Sequence, residues 1–347
     1  MPKLTTSYLG LSLKNPIIVG ASNLVTNEDN LEKLERAGAA AIVYKSLFEE
    51  QIQLESHQWE LAQDLYSHWD SEYVSMFPKV EHAGPAEHLL ALRKARQRLS
   101  IPLIGSLNAV LNESWVEYAA KMEETGIDAL ELNFYTNTTD YHTDGEKIVA
   151  KQLDVLKLVR DVVTIPIAVK LSPFYTNTLS VIGQMDAVGA DGYVLFNRLF
   201  QPDIDIMREE HHYPYNFSSE NDNRLALRYA GLLYGNVGGS LCANTGIFTG
   251  GDVVKMILAG ADAVQVVSTI YKKGISHLEK MLEALEEWMD LKHYKSLDDF
   301  RGKLSKQKLP DPFAYKRAQY VDILMKSDVF MQYHPKQDKR HLEWDEL

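Results

Sequence analysis

The chain has 347 residues, 45% hydrophobic and 24% charged, with a formal net charge of −12. This is the make-up of a soluble globular protein, and the sign of the charge argues against nucleic acid and anionic membrane as partners. The one cysteine, Cys242, excludes an internal disulfide and any cysteine-rich metal or iron–sulfur site.

The N-terminal segment lacks the apolar core of a signal peptide, and no stretch is long and apolar enough to span a membrane, so a cytoplasmic location is expected. A first strand is expected at Ile17–Val19, behind Asn15-Pro16. A helix follows Thr26 and Asn27, with Asp29 suited to its first turn. Ala37-Gly38-Ala39-Ala40 ends that helix and leads into a second strand, Ala41–Tyr44. The pattern then breaks from Ser46 to Ser100, far beyond a usual strand-to-helix connection. This stretch carries Trp59, Tyr66, Trp69, Tyr73, Met76, Phe77 and four histidines, and it is expected to form a lid over the site.

The third strand follows Ile101-Pro102. The fourth follows Thr125-Gly126-Ile127-Asp128, and the fifth is Ile167–Leu171, behind Ile165-Pro166. The sixth follows Val188-Gly189-Ala190-Asp191. A second interruption runs from Arg198 to Asn223 and holds His211, His212, Tyr213, Pro214 and Tyr215. No third ligand stands at metal spacing, so no metal site is expected. The seventh strand starts at Ser240 behind Gly238-Gly239, and the eighth follows Ala259-Gly260-Ala261-Asp262. A helix through Leu278–Trp288 and a charged tail beyond Gly302, with an amphipathic stretch at Phe313–Met325, close the chain.

Four times, then, an amphipathic stretch ends on glycine and an apolar strand begins. Strands apolar throughout belong to a parallel sheet covered on both faces. Eight such units imply a (β/α)8 TIM barrel with long insertions after strands 2 and 6. Residues 1–309 are expected to form it, with 310–347 a helical extension packed on or beside it.

In such a barrel the chemistry sits at the C-terminal strand ends. In strand order these give Ala21 and Ser22, Lys45 and Ser46, Ser106 and Asn108, Glu131 and Asn133, Lys170 and Ser172, Asn197 and Arg198, Asn244-Thr245-Gly246, then Val267, Ser268 and Thr269. The set is rich in amides, hydroxyls and lysines. It lacks the paired acids, triad or ligand cage of hydrolytic and metal sites. Amides and lysines suit an anionic or carbonyl-rich planar ligand, and such a protein does redox chemistry when a cofactor carries it. Lys170 interrupts an apolar run, so its ammonium is either a Schiff-base nucleophile or a counter-charge; Lys45, similarly placed, favours the counter-charge. Asn244-Thr245-Gly246, with Thr249-Gly250-Gly251-Asp252 and Ser268-Thr269, stands where barrels bind phosphate.

With these residues in place, the chain resembles the dihydroorotate dehydrogenase family in its class 1 branch. The resemblance runs from Asn15 to about Leu309. It is carried by NPIIVGAS, Lys45-Ser46, ELN at Glu131–Asn133, AVKLSP at Ala168–Pro173, Asn197, NTGIFTGGD at Asn244–Asp252, AGADAVQVVST at Ala259–Thr269 and YKSLDDFRGKL at Tyr294–Leu304. It implies an FMN-binding barrel acting on a pyrimidine-like small molecule, and a two-fold homodimer. Ala21 and Ser22 would line the flavin; Lys45 and Lys170 would contact its ring and ribityl region. Thr245, Gly246, Val267 and Ser268 would hold the phosphate. Ser46, Asn108 and Asn244 complete the implied cofactor set. Asn133 and Asn197 would bind the pyrimidine, with Lys45 and Arg198 beside it.

The departures fall mostly on the substrate side. Thr136 stands where the family has its Cys or Ser base. No Asn occurs between Asn30 and Asn108, where the family's substrate loop carries one. Arg198 replaces a small hydroxylated residue, and the turn at Asn244-Thr245-Gly246 lacks one glycine. The FMN half of the site is kept and the orotate half is rebuilt. An oxidoreductase with Thr136 and Lys170 as catalytic residues is expected, the alternatives being a catalytically silent flavin-binding protein and a Schiff-base aldolase using Lys170.

Overall fold

Residues 2–52, 85–135, 141–199, 201–212, 217–316 and 318–325 are described by a computed structural model. The four glycines of the repeated pattern, Gly38, Gly126, Gly189 and Gly260, all have φ between +88° and +130°, a conformation that costs glycine no Cβ clash. Each turns the chain from the end of a helix into a strand.

The elements run in the expected order. After a hairpin of β1 (Thr6–Tyr8) and β2 (Leu11–Leu13) come β3 (Ile17–Val19), α1 (Glu28–Arg36), β4 (Ala41–Val43) and the two-residue β5 (Leu47–Phe48). Then come α2 (Pro85–Arg98), β6 (Leu103–Asn108), α3 (Asn112–Glu123), β7 (Ala129–Asn133), α4 (Gly145–Val162), β8 (Ile167–Leu171), α5 (Thr178–Val188) and β9 (Gly192–Leu195). A second hairpin, β10 (Asp203–Asp205) and β11 (Glu210–His212), precedes α6 (Asn223–Leu233). The chain continues through β12 (Ser240–Asn244), α7 (Gly250–Ala259), β13 (Ala263–Val266), α8 (Ser268–Lys273), α9 (His277–Leu291) and α10 (Ala318–Met325). Asn27 caps α1, its Oδ1 accepting from the Asp29 and Asn30 N–H groups.

Strands β4, β3, β13, β12, β9, β8, β7 and β6 pair in parallel in that order, and β6 pairs back onto β4. The expected barrel is therefore closed. Two apolar clusters fill it, one on each side of the wall. The outer one lies between strands and helices. The inner one is built of small and branched side chains: Ala129, Ala168, Ala263 and Cys242 with Ile18, Val43, Ile104 and Val194. Tyr8, Leu9 and Leu13 of the first hairpin push into it from below. At Gly192 a Cβ would stand 2.5 Å from Leu9 Cδ2, so this glycine admits the plug.

The floor uses one device three times. Asp128 Oδ2 accepts from Leu103 N–H, Asp191 Oδ2 from Ile167 N–H and Asp262 Oδ2 from Leu241 N–H, each at 2.8 Å. An arginine backs each carboxylate: Arg96 at 3.1 Å, Arg160 at 2.6 Å and Arg301 at 3.5 Å. The first copy of the pattern ends in Ala40 and has no carboxylate. There Asn15 takes over, accepting from Ile17 N–H at 2.9 Å and donating to the Gly38 carbonyl at 2.7 Å. Orphan N–H groups at strand starts are thereby satisfied out of water.

Of the first interruption, residues 53–84 lie outside the described residues, and with them most of the expected lid. Pro85–Arg98 forms α2 against the barrel, with His88, Leu92 and Ala95 buried. The second interruption contains the hairpin β10–β11, where His211 and His212 are exposed. Tyr213, Pro214 and Tyr215 lie outside the described residues. The expected amphipathic stretch becomes a short turn at Phe313–Tyr315, its Tyr315 hydroxyl donating to the Leu304 carbonyl at 2.8 Å, and then α10. No helix among the described residues is long and apolar enough to cross a membrane.

Candidate active site at the barrel mouth

Strand register brings the expected residues together. Lys170 on β8 stands beside Asn133 on β7 and Val194 on β9. Gln265 on β13 stands beside Asn244 on β12 and Ile18 on β3. A cleft of about 210 Å3 opens above them. Its wall includes Ala21, Lys170, Asn197, Arg198, Asn244-Thr245-Gly246, Gln265 and Val267-Ser268-Thr269. Most of the residues expected to hold a cofactor thus converge, and no carboxylate is among the described lining residues.

The turn after β12 is shaped for close approach. Thr245 and Gly246 have φ of +78° and +74°. A Cβ on Gly246 would stand 2.5 Å from the Asn223 nitrogen, so only glycine lets this backbone pack against α6. Asn244 Nδ2 and Thr245 Oγ1 donate to the Phe196 carbonyl at 3.0 and 3.1 Å, tying the turn to the end of β9. Gly246 N–H donates to Ser218 Oγ at 3.2 Å, and Ser218 N–H donates to Ser268 Oγ at 2.9 Å. Two helices begin at this rim, α7 with a capping box of Thr249 and Asp252, and α8 at Ser268.

Opposite the turn, three asparagines form a chain. Asn108 Nδ2 donates to the Asn133 carbonyl at 2.9 Å, and Asn197 Nδ2 donates to Asn133 Oδ1. Their amides are held in fixed directions at the mouth. Ser46 and Ser106 share a buried hydroxyl–hydroxyl bond of 2.7 Å. Ser22 Oγ is buried and meets no partner.

Arg198 stands at the rim, its guanidinium donating to Asp222. Burial pushes the Asp222 carboxyl up, but Ser219 N–H and Arg198 together hold it below the usual carboxylate range. Lys45 is half-buried beyond the cleft wall, where its charge and, more strongly, burial lower His88 to about 4. His88 is 6% exposed and edge-on to Tyr44, and its Nε2 has no hydrogen-bond partner. Thr136 lies outside the described residues.

Sequence reasoning misses Gln265 and places Glu131 at its strand end without a role. Glu131 and Gln265 are each 1% exposed, and both reach Lys170. Their signal is the one that marks Lys170, a polar side chain inside an apolar strand. A period of two cannot say whether such a residue faces the barrel interior or the helices.

A larger groove of about 950 Å3 runs between α4 and α5. Asp144 and Glu146 line it, and among its described residues there is no lysine or arginine. The smaller cleft has the donors an anion requires: one ammonium, several amides and hydroxyls, and backbone N–H groups at a helix start.

Known proteins resemble the chain over most of its length. The family model described as dihydroorotate dehydrogenase matches residues 80–289. Among curated proteins, the catalytic subunit of dihydroorotate dehydrogenase B (NAD(+)) from Thermoplasma acidophilum is 27% identical over 309 residues, covering 87% of this chain and 99% of that protein. Its counterpart from Thermoplasma volcanium is 26% identical over 311 residues, covering 87% and 98%. That from Methanocaldococcus jannaschii is 26% identical over 293 residues, covering 81% and 92%.

Proposed function

Because the chain belongs to the dihydroorotate dehydrogenase family, we propose that it is an FMN-dependent oxidoreductase that takes hydrogen from a planar, pyrimidine-like carbonyl substrate, dihydroorotate in the first instance. The observation that carries this is the convergence of Lys170, Asn197, the Asn244–Gly246 turn and Val267-Ser268 on one cleft free of carboxylates. The residues suit FMN. Ser22 Oγ is a buried polar atom lacking a partner, and the cleft lining offers an ammonium, amides and hydroxyls.

Thr245, Gly246, Val267 and Ser268 would hold the phosphate, and Ala21, Ser22 and Lys170 the ring. When bound, the flavin accepts hydride from the substrate carbon. The protein does the rest. Asn133 and Asn197 fix the plane of the substrate through its amide edges. Arg198, paired with Asp222, would bring its guanidinium to a carboxylate on the substrate. Lys170 places a positive charge where negative charge develops. Thr136 would receive the proton from the carbon next to the one that loses hydride and pass its own hydroxyl proton to water. Lys45 would add positive charge from behind the cleft wall. A homodimer in the cytoplasm is the proposed working form.

The test is an anaerobic mixing experiment. Purified protein saturated with FMN is mixed with dihydroorotate, and absorbance near the flavin band is followed. Bleaching is expected, and recovery on adding fumarate or NAD(+) separately identifies the acceptor. A wild-type protein that binds FMN but never bleaches removes dihydroorotate as substrate. Bleaching regained by Thr136→Cys would show that only the base is missing.

A further inference from the structure

Directly below the cleft, three polar side chains from three strands meet inside the barrel. Lys170 Nζ lies 3.5 Å from Glu131 Oε1 and 3.4 Å from Gln265 Oε1. Gln265 Nε2 donates to the other carboxylate oxygen, Glu131 Oε2, at 2.6 Å. The triangle is closed: every side is a polar contact. Glu131 and Gln265 are 1% exposed and Lys170 is 7% exposed.

Among the described residues no other hydrogen bond to the carboxylate side chain is seen. Glu131 Oε1 makes no hydrogen bond, only the ion pair with Lys170. Beneath it are Cys242 and Tyr8, both fully buried, whose pKa values burial pushes well up, with the Glu131 charge adding to the rise. The Tyr8 hydroxyl has no hydrogen-bond partner of its own. Gly20, at the end of β3, makes room for the amide: a Cβ there would come 3.3 Å from Gln265 Oε1 and 2.8 Å from Val267 Cγ2.

Resting on the FMN reading above, we propose that Glu131, braced by Gln265, is the positioning residue that keeps the Lys170 ammonium aimed at the flavin. Lys170 alone would be a buried point charge on a four-carbon stem, free to turn. Glu131 supplies the counter-charge from below, and Gln265 prevents the carboxylate from rotating away. The two thereby leave the upper side of the ammonium free for negative charge on the reduced ring. Glu131 acts through Lys170 and touches neither substrate nor cofactor.

Sulfite is a suitable probe, because its addition to a bound flavin puts negative charge on the ring and bleaches the visible band without any substrate. Full-length protein loaded with FMN is titrated with sulfite at one pH, as wild type, Glu131→Gln, Lys170→Met and the double variant. Lys170→Met is expected to weaken sulfite binding about a hundredfold, as loss of a charged transition-state donor does. Glu131→Gln is expected to weaken it by about tenfold or more, and the double variant to be no worse than Lys170→Met alone, the mark of coupled residues. Unchanged or tighter sulfite binding in Glu131→Gln overturns the assignment, and so do losses that add.

If Glu131→Gln does not fold, Gln265→Leu carries the test. A loss of about threefold or more supports the brace, and no loss overturns it. The two readings fail differently. A wild type that takes up FMN while Glu131→Gln behaves like it sinks this proposal alone. A wild type that takes up no FMN sinks the FMN reading, and this proposal with it.

Discussion

The floor and the mouth of the barrel spend their polar groups in opposite ways. At the floor each carboxylate has a backbone N–H and an arginine: Asp128 with Arg96, Asp191 with Arg160, Asp262 with Arg301. At the mouth Ser22 Oγ and His88 Nε2 are buried without hydrogen-bond partners, and Glu131 Oε1 has only an ion pair. Buried polar groups left this way cost stability, and they are tolerated where a ligand or a reaction uses them. The floor holds the barrel together and the mouth is prepared for something else.

The sharpest way to break this contrast is at Arg301. Its guanidinium donates to the Ala261 carbonyl at 2.6 Å and to Thr6 Oγ1 at 2.9 Å, and pairs with Asp262 and Asp298. Arg301→Ala is expected to cost about 3–5 kcal/mol, as loss of one partner of a buried pair does. Denaturant unfolding measures the loss. FMN affinity of the folded fraction is expected to stay within about twofold, since distant sites behave independently. A large fall in affinity would erase the division of labour.

His88 tests the mouth for a cost in stability. Unfolded, it titrates near 6.5; folded, burial and then Lys45 bring it to about 4. Between those values the unfolded chain holds the extra proton. Stability is therefore full above about pH 6.5 and falls as the pH drops towards 4, by about 3 kcal/mol in all. His88→Leu is expected to flatten this limb in unfolding curves taken across that range. An acid limb that survives the substitution would assign it to another group.

The smallest effect is expected at Lys45. It makes no hydrogen bond or ion pair with a described residue. Lys45→Met should change unfolding free energy by less than about 1 kcal/mol and shorten the acid limb at His88. FMN affinity, read by fluorescence titration, should fall instead. A loss of stability without a loss of affinity would move Lys45 to the structural side.

The barrel is legible in the sequence because its punctuation is chemical. Gly126, Gly189 and Gly260 are followed two residues later by Asp128, Asp191 and Asp262, so the end of a helix and the brace of a strand are written side by side. What the Asp does is not legible, because its partner N–H lies on a different strand, about twenty residues or more away. The plugging hairpin escapes too: Thr6–Leu13 reads as an unremarkable N-terminus until Leu9 meets Gly192. Lys170 stands out in its strand as Glu131 and Gln265 do in theirs, but that they meet is not legible, since only closure of the sheet brings the three together. Arg198 reads as an anchor for a substrate carboxylate; its salt bridge with Asp222 crosses a long insertion that carries no regular signal. Thr136 and the aromatic stretch around Trp59–Pro78 lie outside the described residues.

Cys242 sits in the inner wall, completely out of contact with solvent, with its thiol held in the protonated form by its surroundings. As the chain's one sulfhydryl, it can react with an alkylating or disulfide-exchange reagent only during moments when the wall parts. The rate at which label accumulates under native conditions is therefore a clock for those openings, built into the molecule without engineering. Run with and without ligand at the rim, the same clock reports how far occupancy of one end slows the breathing of the whole cylinder.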